Sequence, residues 1–468
     1  METVYLILKM LLVYLTVIGI GNAGYARMTG GGDFPPSEMT DPGDEDKYIQ
    51  ITAGDTGIDI YNPGEIHGGY RYGPSMILNK DGSIDLWSAS NGPGDIIDLV
   101  TYRRLYNGGR SSTKETTAIR PTPETEDALW TCDPGAVKIG EYYYIGYTST
   151  MDGRGTDNNV YIARSKNPDG PYEKWTGSGW GDSCVPLVEY TDNPDCFGAG
   201  EPSFVLMGDT LYIYYSWCAD EGATTRVATA DATDENWPAT LEYHGECIPV
   251  KNSGDSADVK YVDEYGRFVA VFTEKRFSDD SYIAVWESFD GINFRPSGFV
   301  KENTGRKLHN CGISGRADGH IGAGDPVYLS YAYGSDWGNW PTRLHQVSLS
   351  LAGEPELDDS TEDNIEISSE RRKPKLISAV NMIKAEKQVY YVEKSQQVWT
   401  MAYDTDGFIF PVLFGVTFDG YDESVIKIVG GRIYAVGDGM TRVKVHWNGM
   451  TGDFAVYAGK NAESSSNS

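Results

Sequence analysis

One two-strand pattern recurs five times along this 468-residue chain, and nothing else in the sequence constrains its fold as tightly. Each copy has a small turn, an apolar strand, a Gly or Asp-Gly turn, and a second strand rich in Tyr and Trp. The copies start at Gly73-Pro-Ser-Met-Ile-Leu78, Asp133-Pro-Gly-Ala-Val137, Glu201-Pro-Ser-Phe-Val205, Asp258-Val-Lys-Tyr-Val262 and Gly312-Ile-Ser-Gly-Arg316. The last copy is the least regular. Third strands follow three of them, at Asn159–Ser165, Thr225–Ala230 and Tyr282–Ser288. Starts recurring roughly every sixty residues fit one four-stranded propeller blade each. A repeated unit of this kind buries its apolar faces only against its neighbours, so the blades must close on one another. The expected fold is therefore all-β, a five-bladed β-propeller, with a smaller β-sandwich to follow.

Composition agrees with many short strands. There are 32 Tyr and 55 Gly residues, the first favouring strands and the second serving the turns between them. The net charge is −29, from 68 acidic and 39 basic residues. Such a surface repels phosphate backbones and anionic membranes, so no nucleic-acid partner and no membrane partner beyond an export signal are expected. The bland account of the charge is solubility, and a minor one is that some carboxylates bind a structural calcium. No phosphate- or dinucleotide-binding motif is present, so no cofactor is expected to be required.

Val4–Ile20 is apolar apart from Lys9, and Ala23 and Ala26 offer cleavage positions after it. This reads as a secretory signal peptide, which places the mature protein outside the cell or at its surface. The competing reading is an uncleaved anchor. Six cysteines occur without CxxC spacing, so no metal ribbon is expected, and Cys184 with Cys196 is the candidate disulfide pair. From Leu376 short alternating runs return, among them Val425–Val429, Arg432–Val436 and Arg442–Trp447. That density of strands suggests a sandwich. The expected organisation is signal peptide 1–26, flexible lead-in 27–47, propeller 48–351, linker 352–375, β-sandwich 376–460 and disordered tail 461–468.

In a propeller the first strand of each blade lines the central channel, so residues at its mouth converge in space. Three copies open with a carboxylate: Asp133, Glu201 and Asp258. Carboxylates gathered in one funnel push their pKa values apart, leaving one protonated while another is ionised. Glycoside hydrolysis needs that pairing, an acid for the leaving oxygen and a base or nucleophile opposite. Asp-Pro and Glu-Pro pairs also begin turns for purely local backbone reasons. The fifth copy adds His309, Arg316 and His320, and the approach to the first adds His67, Arg71 and Tyr72; these six are the candidate sugar-binding residues. Trp87, Trp217 and Trp337 end second strands and are expected in the core.

The run Cys132-Asp-Pro with Tyr142-Tyr-Tyr-Ile-Gly-Tyr-Thr-Ser-Thr150, Asn159–Ser165 with Gly170-Pro-Tyr-Glu-Lys-Trp175, and Gly198-Ala-Gly-Glu-Pro-Ser-Phe-Val205 resembles glycoside hydrolase family 43 and the β-fructosidase superfamily. The resemblance covers roughly Tyr61 to Leu351. It implies an O-glycosidase, with arabinofuranosyl or xylosyl linkages the first expectation. It also implies a proton donor at Glu201 and an Asp of the family at Asp133. The first copy departs, opening on Gly73 where an Asp is expected. Asp258 then completes the set, or Glu65 or Asp59 does, or the chain is a non-catalytic carbohydrate-binding propeller. Likewise Val425–Val445 resembles the bacterial immunoglobulin-like group 2 fold, which admits a third reading, an adhesion or scaffold module.

Overall fold

The computed structural model describes residues 45–460, apart from 63–68, 92–97, 151, 153–154, 221, 250–256, 335–339, 356, 358–379, 386, 399, 405–408, 413–414 and 430. The expected signal peptide, most of the lead-in and linker, and the tail lie outside the described residues, as do Glu65, His67 and Trp337. No helix of the described residues is long and apolar enough to cross a membrane.

Five sheets form the larger part, antiparallel except where His320–Ile321 pairs parallel with Tyr261–Val262. The first blade runs Arg71–Leu78, Ile84–Asn91, Asp98–Tyr106, with short outer pieces Ser111–Ser112 and Thr116–Ile119. The second runs Cys132–Ile139, Tyr142–Ser149, Asn159–Ser165, Glu173–Trp175 and Trp180–Gly181. The third is Gly198–Met207, Thr210–Ala219, Gly222–Asp231 and Glu242–Ile248, and the fourth Asp258–Val262, Arg267–Glu274, Tyr282–Ser288 and Arg295–Val300. The fifth takes Cys311–Ile313, Val327–Ala332 and Thr342–Ala352 from late in the chain and its outer strand, Tyr48–Ala53, from the start. That strand is held from the fourth blade as well: Ile49 N donates to Glu287 Oε2 at 2.7 Å, and Gln50 Nε2 to the Ser297 carbonyl at 2.7 Å. Joining the two ends in one sheet closes the ring.

Closure shows in the packing. Every seam between blades holds an apolar core, and the innermost strands touch in cyclic order, fifth to first included. Between the second and third blades Tyr144, Trp175 and Trp180 meet Phe204 and Trp237; between the fifth and first, Ile60, Tyr328 and Leu344 meet Met76 and Leu86. Trp87 is fully buried and Trp217 nearly so, as core residues should be. Because both faces of a blade are covered, strands such as Arg267–Glu274 are buried at every position and read as continuous apolar runs, not alternation.

The segment after Cys311–Ile313 passes beneath the ring. The Gly315 carbonyl accepts from Leu78 N (2.7 Å), Ala317 from Lys138 N (2.7 Å), Asp318 from Leu206 N (2.9 Å) and Gly319 from Tyr261 N (3.0 Å). One turn of chain thus bonds to the far end of each of the other four innermost strands and stops the channel there. Gly319 has φ +85°, and a Cβ on it would lie 2.6 Å from the Phe204 carbonyl oxygen, so no other residue fits without displacement.

Residues from Val380 form a separate all-β unit. Its three sheets, including Val389–Val392 with Met450–Ala458, Gly439–Trp447 and Thr417–Asp419, share one core around Ile383, Ile426, Val443, Phe454 and Val456. Here Gly439–Trp447 alternates buried and exposed, as a sheet with one wet face must.

Candidate active site

Asp133, Glu201 and Asp258 meet in one pocket at the open end of the channel, with Gly73, Pro74, Ser75, Pro134, Pro202, Ala257 and Cys311. The space among them is about 20 Å³, the room of roughly one water molecule. The pocket floor is thus a shallow ring of strand starts, closed from below by the segment at 315–321.

Local sequence explains the placement of two of the three. Asp133 and Glu201 precede a proline and take left-handed backbone, with φ +47° and +54°. Gly73, also before a proline, has φ +56°. In all three strands the pairing slips at this point, between Tyr72 and Ser75, Cys132 and Gly135, and Gly200 and Ser203. Proline cannot donate to the ladder, so the strand bulges, and a bulge re-aims the residue it contains. Gly73, Asp133 and Glu201 are therefore equivalent positions in three successive blades.

Asp258 is not the fourth of that set. Two residues after each bulge stand Ser75, Gly135 and Ser203, and this level bonds one blade to the next: Ala136 N donates to Ser75 Oγ at 3.0 Å and Val259 N to Ser203 Oγ at 2.9 Å. Asp258 continues the series, its Oδ2 accepting from Ile313 N at 2.8 Å. Its Oδ1 accepts from Ser203 Oγ at 2.8 Å and from the buried Lys260 ammonium. Three donors, one of them a cation, commit this carboxylate to holding the third, fourth and fifth blades together. Two residues before Asp258 the sequence has Ser256, outside the described residues; the fifth blade's equivalent of Glu201 is Asn310.

Glu201 is oriented from two sides. Ser216 Oγ donates to Oε2 at 2.6 Å and Asn310 Nδ2 to Oε1 at 3.3 Å, while its own N–H donates to Thr148 Oγ1 at 2.7 Å. A serine hydroxyl can equally accept, so Ser216 serves a protonated Glu201 as well as an ionised one. The Cys132 thiol next to Asp133 is pushed well above its ordinary pKa by burial, then by the charges of Asp133 and Asp98, and stays protonated.

Behind the pocket lies a carboxyl that sequence reasoning passed over. Asp98 is buried, with Tyr70 and Tyr72 hydroxyls donating to its two oxygens at 2.6 and 3.0 Å. Burial drives its pKa up to about 7, against the pull of both tyrosines. No motif marks Asp98, Ser216 or Asn310; each matters through a partner on another strand.

The remaining sequence candidates do not line the pocket. Arg71 forms a two-pronged ion pair with Glu115 (2.5 and 2.9 Å) and lies over the Tyr61 ring. Tyr72 is the buried partner of Asp98, and its ring stacks on His309 with centroids 4.9 Å apart. His309 is 3% exposed, packed among Tyr72, Phe277 and Trp340. Arg316 and His320 belong to the segment beneath the ring. Arg316 pairs with Asp325 at 2.6 Å, and His320 bridges Asp263 Oδ1 and the Leu206 carbonyl, both at 2.7 Å. Burial opposes the charged form of His320, but the bond to Asp263 and the charges of Asp318 and Asp263 outweigh it and raise its pKa. These two residues are fold-closing. The innermost strand ends at Ile313, and the chain has turned away before reaching them. Asp59 is taken by Arg343 and Tyr333. The expected Cys184–Cys196 disulfide is absent, and no two of the six cysteines are joined. Among the described residues no three His, Cys, Asp or Glu side chains gather as a metal site.

No protein-family model and no curated protein sequence matches the chain. Solved structures resemble it loosely in shape. A family 117 glycoside hydrolase of the marine bacterium Zobellia galactanivorans superposes with TM-score 0.43 at 15% identity, covering 67% of this chain and 93% of the other. An α-L-arabinofuranosidase from Podospora anserina, solved with cellotriose, gives TM-score 0.44 at 11% identity over 66% of this chain and 98% of its own. A family 43 protein from Bacillus licheniformis gives TM-score 0.40 at 10% identity over 78% and 57%. The strand pairing, not these likenesses, establishes the fold: an all-β chain built as a five-bladed propeller with a second β unit behind it.

Proposed function

We propose that the chain is an exported glycoside hydrolase of the family 43 type, with Glu201 the general acid and Asp133 the second carboxylate. The observation that carries this is the pairing of Asp133 and Glu201 at equivalent bulges of adjacent blades, in one pocket with a third carboxylate already committed to Lys260. Glu201 protonates the leaving oxygen as the glycosidic C–O bond breaks. Asp133 takes the proton of the attacking water or itself attacks the anomeric carbon; the anomer of the first product, read by proton NMR, separates the two. The chemistry needs carboxylates and water and calls for no cofactor. Acidic surroundings favour an uncharged glycan, and arabinofuranosyl or xylosyl linkages are the first to try. The unit from Val380 is proposed as a bacterial immunoglobulin-like module.

The test is a panel of aryl arabinofuranosides and xylosides. Turnover by the wild type that falls steeply, yet stays measurable, in Asp133→Asn supports the reading. A protein that binds oligosaccharide without turnover, and whose Asp133→Asn variant changes affinity alone, is instead a carbohydrate-binding propeller, the reading that Gly73 in the first blade favours.

A further inference from the structure

The first blade's position in the set is filled by glycine, and this has a steric counterpart. A Cβ built on Gly73 falls 3.2 Å from the Asp133 Cα, 3.3 Å from its Oδ1 and 3.7 Å from Pro134 Cδ, with nothing else nearer. We infer that Gly73 is a positioning residue: having no side chain, it lets the Asp133 carboxylate lean across the seam into the place a first-blade side chain would fill. This deepens the proposed function and rests on it. On this account the site is not a carboxylate short. Its working pair comes from the second and third blades, and the first contributes the room.

Two features of the site agree. Asp133 and Glu201 show that a side chain can occupy this left-handed conformation, so backbone alone does not demand glycine at 73. What does demand it is the neighbour. Contacts of 3.2–3.3 Å force Asp133 to yield by a few tenths of an ångström, its Cα and its carboxylate Oδ1 together, so the aim of the carboxylate shifts with the residue. Nor can Asp133 retreat freely, since Pro134 fixes the next φ and Cys132 is buried beside it.

The experiment is a double-mutant cycle on Gly73→Ala and Asp133→Asn, read as kcat and KM on an activated aryl glycoside. Gly208→Ala is the control, because Gly208 has φ +60° and nothing within 4 Å of its would-be Cβ. Gly73→Ala is expected to lose on the order of 10²-fold in kcat with KM little changed, as a displaced reacting group does. It is expected to cost nothing further in the Asp133→Asn background, while Gly208→Ala stays near wild type. Losses that multiply, or a Gly73→Ala enzyme within twofold of wild type, would overturn the inference and leave the glycosidase reading intact. A wild type without turnover on any glycoside would overturn both. A Gly73→Ala protein that fails to fold also counts against the inference, because contacts of 3.2–3.3 Å ask for a local shift of Asp133 and not for loss of the fold.

Discussion

Asp98→Asn probes the electrostatics behind the pocket. The Asp98 carboxyl accepts two tyrosine hydroxyls, and burial raises its pKa from 3.8 to about 7. Because the folded pKa lies above the unfolded one, the folded protein holds an extra proton between these values. The associated stability is complete below pH 3.8 and is lost as pH rises through 7. With about 1.4 kcal/mol for each pH unit, the interval of 3.2 units from 3.8 to 7 corresponds to about 4 kcal/mol. Asparagine cannot ionise, yet keeps an acceptor for one tyrosine and offers a donor to the other. The variant should therefore match wild type near pH 4 and unfold at higher urea above pH 8, by up to about 4 kcal/mol. The assay is the urea midpoint of the propeller, followed by tryptophan fluorescence between pH 4 and 9. Parallel pH curves for the two proteins, or a variant weaker at every pH, would refute the placement of an unpaired charge cost at Asp98.

Two further outcomes follow from the fold. Gly319→Ala should lower the urea midpoint by about 1–3 kcal/mol from backbone strain and by more from the clash with Phe204; an unchanged midpoint would mean that the segment beneath the ring is not fixed as described. Removing residues 376–468 should leave the propeller's transition in place, since the core around Val443 and Phe454 contains no propeller residue, and loss of that transition would show one cooperative unit.

The blades were legible because turn chemistry repeats with them. X-Pro at the strand start, a Gly turn and a Tyr-rich return are local signals, and Asp133 and Glu201 stand on the X-Pro itself. The fourth blade has no proline there, so Asp258, two residues off register, read as an equivalent when it is an inter-blade tie. The closing strand Tyr48–Ala53 carries no copy of the pattern, and its partner, Thr342–Ala352, lies at the other end of the ring. Arg316 and His320 looked like channel residues because the strand was expected to continue past Ile313, whereas Gly315 and Gly319 let the chain turn under the ring. Ser216 reaches Glu201 through the pairing of Gly200 with Ser216, and Asn310 through ring closure, neither of which spacing alone can express.

The central claim, that Glu201 delivers the proton, is tested most directly by comparing Glu201→Gln with wild type on a poor and an activated leaving group. Gln keeps the acceptor for Ser216 or Asn310 and removes the proton. The account predicts a loss of about 10²–10⁴-fold on the poor leaving group and a much smaller loss on the activated one, which departs without protonation. Equal losses on both would contradict it.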